Sequence, residues 1–121
     1  MVSELNLFIL ISIGFFIGAV GAFSGLGGGF VAVPLLLFLG YSAQKAVGTS
    51  FVVILIISAS ALYAHNRFDN VDFKTGLLVG LGGIIGAQAG AQLVQYVPTE
   101  LFRKFFALFL AGISAYLFFK K

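Results

Sequence analysis

The chain contains no cysteine and no tryptophan, only two prolines, and few charged residues, seven basic and four acidic among 121. The lack of cysteine excludes disulfides, thiol catalysis and thiolate metal sites. Charged residues make up 9% of the chain and hydrophobic residues 60%, whereas a soluble domain has about a quarter charged and under half apolar residues. A globule of this length cannot hide so much apolar surface from water. The composition therefore predicts an integral membrane protein.

The net charge of +3 would suggest nucleic-acid binding in a soluble protein. Here the basic residues fall at the ends of apolar runs, where they can meet lipid headgroups. We therefore expect a multi-pass protein of the cell membrane that contacts the lipid bilayer and no nucleic acid. No cofactor or metal is expected. An enzyme is not expected either, because no nucleophile, base and orienting partner converge in the sequence.

Apolar runs predict one all-α transmembrane domain with four long helices and one short helix. The uncharged run over residues 5–44 is too long for one crossing, since a hydrocarbon core of about 30 Å needs about 20 residues. Four glycines interrupt it within residues 25–29, which we call the glycine-rich break. Each costs about 1 kcal/mol relative to alanine in a helix interior. The short segment after the break suits a half-helix or re-entrant element. The predicted helices span residues 5–23, 28–40, 43–64, 73–96 and 100–119.

Polar residues mark the helix starts and a loop. Ser42 and Thr99 are of the types that cap helix N-termini, so they are predicted to begin the third and fifth helices. The polar string over residues 65–72 predicts a short loop. His65, the only histidine, is predicted to be an interfacial residue rather than a metal ligand or a proton relay.

Small residues recur at helical spacing in the first and fourth segments. Such residues let helix backbones approach closely in lipid. Gln88 lies on the small-residue side of the fourth helix, where an amide either bonds across helices or lines a pathway. The glycines predicted to pack helices are Gly14, Gly18, Gly82, Gly86 and Gly90.

The glycine-rich break is the strongest candidate for a binding site. Irregular backbone at membrane depth survives only where protein or a water-filled cavity surrounds it. Free N–H groups at the start of the following helix, with the positive end of its dipole, can bind an anion. A hairpin turn without a ligand is the alternative. The predicted substrate-binding residues are Ser24, Gly25, Gly27, Gly28, Gly29, Gly48, Thr49, Ser50 and Gln88.

Other roles remain open for several of these residues. The hydroxyls of Thr49 and Ser50 could donate to an oxyanion, or they could bond back to a carbonyl of their own helix. Predicted helix interiors carry no acidic or basic residue beyond their first turns. Because ion-coupled carriers usually place a carboxylate there, any coupling is expected through the substrate's own charge and proton, or through backbone and hydroxyl groups.

Six motifs stand in order along the chain: GLGGGF at 25–30, PLL at 34–36, AVGTS at 46–50, GAQAGA at 86–91, VP at 97–98, and Leu101 with Arg103. Together they resemble the TauE/SafE family of sulfite and organosulfonate exporters. The glycine-rich block and the Ala-Val-Gly-Thr-Ser block are specific, and the others are ordinary membrane-helix composition. The resemblance implies transport of a small sulfur oxyanion or sulfonate, with Gly27, Gly28, Gly29, Thr49 and Ser50 as the residues to carry over.

The family's usual chain has two copies of one repeat, and this sequence holds one. The resemblance therefore implies that two chains associate, with the substrate at the dimer centre. Three basic residues are expected on one membrane side and four on the other. This near balance favours an antiparallel homodimer that mimics an inverted repeat. A passive small-anion channel of dual topology and a non-transporting scaffold remain alternatives.

Overall fold

The structure, a computed structural model, describes residues 7–120, which form an all-helical bundle. Four of its helices are long and apolar enough to cross a membrane, and α2 is a shorter apolar helix. This arrangement confirms the predicted fold class. Residues 5 and 6, where the first helix was expected to start, lie outside the described residues. The helices are α1 (Leu7–Ser24), α2 (Gly29–Phe38), α3 (Ala43–Arg67), α4 (Phe73–Val94) and α5 (Thr99–Phe119).

The glycine-rich break turns the chain back into the bundle between α1 and α2. Gly25, Gly27 and Gly28 have φ angles of 81°, 74° and 92°, in the left-handed region that costs other residues about 1–2 kcal/mol. Gly28 is the N-cap of α2 and supplies no side-chain cap. Three left-handed residues in four positions reverse the chain direction within a few ångströms, which is why the long apolar run does not form one helix.

The start of α2 lies deep in the bundle. A Cβ built on Gly28 would lie 2.7 Å from Ile17 Cγ2, and one on Gly29 would lie 2.8 Å from Ile54 Cδ1. Ile17 precedes Ser24 by about two helical turns, or roughly 10 Å, and Ile54 lies near the middle of α3. The break therefore re-enters the bundle, and α2 begins at about the mid-depth of the long helices.

The core lies between α2 and α3. Helix α2 packs on α3. Ala32 and Val33 of α2 are buried, and α3 carries a stripe of small buried residues formed by Ala43, Ala46 and Ser50. The spacing of three and four residues places that stripe on one helix face. Small side chains there let α2 lie close to α3, so that the two helices form a tight antiparallel hairpin.

Two hydroxyl side chains, that of Ser42 before the helix and that of Thr99 at the start of α5, accept hydrogen bonds from backbone N–H groups at the start of α3. Ser42 caps α3 as predicted, since its Oγ accepts from the N–H of Lys45 at 3.3 Å. The prediction that Thr99 caps α5 is wrong. Pro98 holds the cap position, and Thr99 Oγ1 accepts from the N–H of Ala43 at 3.0 Å. Thr99 therefore satisfies a donor at the start of α3 instead.

Several helix bounds differ from the sequence prediction by one to three residues, and the end of α3 differs most. Helix α3 continues to Arg67. The Arg67 guanidinium packs over the Tyr63 ring, 5.8 Å from its centroid, a contact that the helix allows because residues four apart lie on the same face. The predicted loop thus begins only at Phe68. Helix α4 ends at Val94 rather than at residue 96. The next three N–H groups bond three residues back, which tightens the chain into a turn before Pro98.

Helices α4 and α5 contrast with the first three. Neither has a buried residue, and nothing in the described chain lies within 4 Å of a Cβ built on any glycine of α4. Helix α5 packs on α3, whereas α4 is held mainly at its two ends. Most of the α4 surface is therefore open to lipid or to another protein surface.

Candidate functional site

A cavity of about 330 Å³ opens beside the glycine-rich break. We call it the break cavity. It lies between the C-terminal end of α1, the break, the second half of α3 and the loop before α4. Gly25 and Gly27 line it from the break. Its polar lining side chains are Ser58, His65, Asn70 and Asp72.

The backbone next to the break cavity has unused donors. In the part of the chain that the structure describes, the N–H groups of residues 27–30 have no hydrogen-bond partner. The N–H of Leu26 points at Ser24 Oγ, 3.3 Å away, so Ser24 shapes the turn and does not line the cavity. Unpaired N–H groups at a helix start carry the positive end of its dipole. The break can therefore stabilise a negative charge.

Ser58 faces the break from α3. A Cβ built on Gly27 would lie 3.4 Å from Ser58 Oγ and 3.2 Å from Ile54 Cγ2. Among the described residues, the Ser58 hydroxyl has no hydrogen-bond partner, so it is available to a ligand. Ser58 belongs to none of the motifs that the sequence offers. Its only signal was a small hydroxyl in an apolar helix, and nothing local placed it opposite Gly27.

His65 joins three elements at the outer edge of the break cavity. Its Nε2 lies 3.1 Å from Ala22 O in α1, and its Nδ1 lies 3.2 Å from Asn70 Nδ2 in the loop. Because a carbonyl oxygen only accepts, Nε2 carries a hydrogen, and the neutral ring then accepts from Asn70 at Nδ1. His65 therefore stands in the last turn of α3, bonded to two partners, and not in a loop as the sequence suggested.

Asp72 places a carboxylate at the same edge. It caps α4, accepting from the N–H of Thr75 at 3.1 Å and from the Thr75 hydroxyl at 2.8 Å. These two hydrogen bonds, the backbone one first, lower the pKa of Asp72 below its ordinary value. Asp72 is therefore negatively charged at neutral pH, and it gives the cavity entrance one fixed negative charge.

Comparison with known proteins identifies the family. A profile of the family described as "Sulfite exporter TauE/SafE" matches residues 10–121. The chain belongs to the TauE/SafE family. No solved structure shows significant similarity to it.

Three curated relatives of this TauE/SafE chain bear the name "Probable membrane transporter protein". YunE of Bacillus subtilis is 35% identical over 93% of this chain and 44% of its own length. A relative from Methanocaldococcus jannaschii is 30% identical over 90% of this chain and 43% of its own length. YdhB of B. subtilis is 35% identical over 87% of this chain and 44% of its own length. The chain thus spans less than half the length of these relatives, and it belongs to a membrane transporter family, which fits the expectation of a non-enzyme.

The structure divides the glycines that the TauE/SafE resemblance singled out. Gly27 lines the break cavity. Gly28 and Gly29 lie behind it, against Ile17 and Ile54. The structure leaves no room for a Cβ at either position, and the N–H groups of both glycines have no partner among the described residues. Gly28 and Gly29 can therefore contribute to binding only through the backbone.

The AVGTS block is not brought to the break cavity. Ser50 is buried and donates its hydroxyl to Val47 O at 2.7 Å, the back-bonding alternative. Thr49 lines a separate, almost wholly apolar cavity of about 240 Å³ between α1, α2 and α3. Gly48 shares a third cavity of about 530 Å³ with Gln88, between α3, α4 and α5. Within one chain the predicted substrate-binding residues therefore fall into separate regions.

The predicted packing glycines divide as well. A Cβ on Gly18 would lie 3.7 Å from Ile57 Cγ1, an ordinary contact between α1 and α3. Nothing in the described chain lies within 4 Å of such an atom on Gly14, Gly82, Gly86 or Gly90. The packing role of these four glycines stays a prediction, and it requires a surface from outside the described chain.

Proposed function

We propose that this protein transports small sulfur oxyanions or organosulfonates across the membrane and binds the anion at the break cavity. The observation that carries the proposal is the row of unpartnered N–H groups at residues 27–30, at the start of α2, of which Gly27 lines the break cavity. Such groups bind anions through hydrogen bonds and the helix dipole. The family description, which names sulfite, supports the substrate class.

The remaining cavity lining fits a small polar ligand. Ser58 adds a hydroxyl donor on the side facing the break, and Gly27 leaves the space that a side chain would fill. The cavity volume of about 330 Å³ exceeds that of one water molecule, about 30 Å³, by about tenfold. An anion with a few heavy atoms and some of its hydration water therefore fits there.

The first test measures stabilisation of the purified protein by anions. Sulfite, thiosulfate, methanesulfonate, sulfate and chloride are added separately, and thermal unfolding is followed by circular dichroism. A ligand that binds only the folded state adds roughly 2.7 kcal/mol at a hundred times its Kd. We expect the sulfur oxyanions to raise the unfolding temperature by several degrees. Stabilisation by chloride alone would favour a small-anion channel instead.

Ser58→Leu tests the position of the site. The leucine removes the hydroxyl and fills the space beside Gly27, so both the stabilisation by thiosulfate and its uptake into proteoliposomes should fall at least tenfold. Ser60→Leu is the matched control, because Ser60 lies on another face of α3 and does not line the break cavity. Equal effects of the two substitutions would contradict this site.

We further propose that the transporting unit is an antiparallel homodimer. The chain has 9340 Å² of accessible surface, whereas a compact monomer of 12.8 kDa has about 6,300 Å². The excess of about 3,000 Å² is large enough for a stable interface between two copies. The relatives' greater length supports the same idea, since a second copy would supply a second repeat.

In the proposed dimer, Thr49, Gly48 and Gln88 lie on surfaces that the partner completes, so that the substrate passes near the dimer centre. Orientation is tested with Lys120→Cys, which introduces the only thiol of the chain. Labelling of intact cells with a membrane-impermeant maleimide should modify about half of the molecules. Labelling of all molecules or of none would exclude the antiparallel arrangement.

A further inference from the structure

His65 holds a position in which it can gain a proton without moving. In the neutral ring, Nε2 donates to Ala22 O and Nδ1 accepts from Asn70. When Nδ1 also carries a hydrogen, Asn70 needs only to turn its amide and present its oxygen instead. Both hydrogen bonds then survive, and the positive charge appears at the edge of the break cavity.

The charged groups around His65 determine how its protonation changes the net charge that an anion meets in the break cavity. Helix α1 and the glycine-rich break carry no ionisable side chain within the described residues. On α3, Arg67 lies over the Tyr63 ring. Asp69 and Asp72 stand in the following loop and Lys74 in the first turn of α4, and of all these only Asp72 lines the break cavity with His65.

The net charge of the side chains that line the break cavity therefore depends on whether His65 carries a second proton. With a neutral His65 the cavity lining carries a single negative charge, that of Asp72, which repels an entering anion. With a protonated His65 the lining has no net charge, and the repulsion is cancelled close to the ligand. Anion binding and proton binding must then strengthen each other to the same extent, because a coupling between two sites is reciprocal.

We propose that His65 couples proton binding to anion binding, so that the anion enters the break cavity together with a proton. This inference rests on the proposed function, and it assigns the coupling group that the apolar helix interiors lack. It differs from the expectation from the sequence that His65 is an interfacial residue rather than a proton relay, and the experiments below decide between the two. The proton comes from water and returns to water when the anion leaves, so no other reactant is needed.

The test uses anions that stay fully ionised, so that pH acts on the protein alone. Thiosulfate and methanesulfonate meet this condition, whereas sulfite does not. Binding to the purified full-length protein is measured by calorimetry at about pH 5.5 and about pH 8, on either side of the range in which an imidazole titrates. We expect the Kd to be about tenfold lower at the acid pH, within the usual range of coupling between sites.

A second measurement needs no substitution. His65 is the only histidine, so its ring signals can be followed by NMR without ambiguity. Reciprocity requires that thiosulfate moves the titration curve of this ring to higher pH by about one unit for a tenfold coupling. A curve that thiosulfate leaves unchanged would overturn the inference.

Two variants distinguish the effect of His65 on thiosulfate binding from the effect of Asp72. His65→Gln keeps hydrogen-bonding groups but no titratable one, and it should bind thiosulfate equally weakly at both pH values. Asp72→Asn removes the negative charge and keeps a good helix cap. It should bind more tightly at about pH 8 and still respond to His65 protonation.

The outcomes distinguish this inference from the proposed function. If the wild-type protein binds thiosulfate with the same Kd at both pH values, or if the pH dependence persists in His65→Gln, the coupling role is wrong and the binding site stands. If thiosulfate and methanesulfonate fail to bind at either pH, the proposed function fails, and the coupling role fails with it.

Discussion

Gly21 and three of the four glycines of the break, Gly27, Gly28 and Gly29, have surroundings opposite to those of the α4 glycines. A Cβ on Gly21 would lie 2.7 Å from the backbone N of Gly28, and one on Gly29 would lie 2.8 Å from an isoleucine methyl group. On α4, the space around Gly82, Gly86 and every other glycine is empty to 4 Å within the described chain. Glycine therefore permits close helix packing around the break, whereas on α4 it leaves an exposed surface.

The difference shows in which region the glycines pack against other helices of the same chain. Around the break, glycines let α1, α2 and α3 pack against each other and hold the N-terminus of α2 at mid-depth. Helix α4 contributes glycines at similar spacing, but within the described chain nothing lies within 4 Å of a Cβ built on any of them. Its glycines therefore fit the proposal of a partner surface, and the contrast with the break can be tested by identical substitutions.

Gly28→Ala should have the largest effect on stability. The new methyl group must tolerate a φ of 92° and a distance of 2.7 Å to Ile17 Cγ2, and the two costs together amount to about 2–5 kcal/mol. Unfolding in detergent, followed by circular dichroism, measures the loss. Gly25→Ala is the matched control, because its φ is 81° and nothing lies within 4 Å. Its cost should be only about 1–2 kcal/mol.

Equal losses in these two variants would show that the close contact with Ile17 adds nothing. The contrast would then rest on backbone conformation alone. The same result would also mean that the start of α2 is not held at the depth seen here.

Gln44→Leu should have an intermediate effect. Gln44 Nε2 donates to Val94 O at 2.7 Å and to Val97 O at 2.8 Å, so its loss leaves the C-terminal end of α4 without these bonds. We expect a loss of about 1–3 kcal/mol in unfolding experiments. Gln92→Leu is the control, because its amide makes no hydrogen bond within the described residues, and it should change stability by less than about 0.5 kcal/mol. A similar loss in both variants would refute the anchoring role of Gln44.

Gly86→Ala should have the smallest effect on the single chain, and of the opposite sign. Alanine is favoured over glycine in an open helix by up to about 1 kcal/mol, so the dilute monomer should become slightly more stable. Self-association, measured by cross-linking, should weaken, since the methyl group separates the two backbones. Gly80→Ala, about 120° around the helix, is the control that should still associate. Unchanged association of Gly86→Ala would contradict the predicted packing face.

Much of the helix pattern could be read from the chain because each signal was local. The break followed from four glycines in one short stretch, and the short second segment followed from their position. Ser42 caps α3 as its residue type suggests. Thr99 could not be assigned in the same way, because the donor it satisfies, Ala43 N–H, is 56 residues away in the chain.

The candidate site was harder to predict. The sequence marked Gly25 and Gly27, which line the break cavity, but it grouped them with Thr49 and Ser50, which do not. The structure places Ser58 opposite Gly27 instead, because the break descends along α1 and meets α3 near its middle. His65 was assigned to a loop from the polar residues that follow it, although α3 continues through this position and carries the ring to Ala22.

The sequence by itself determined that this is a helical membrane protein with a broken first segment, because hydrophobicity and glycine content act locally and need no partner. Only the tertiary structure decided which side chains meet. Backbone conformations with positive φ turned α2 back into the bundle, and that reversal brought Gly27, Ser58 and His65 to one cavity. Contacts between distant residues depend on the path of the chain, which no local pattern records.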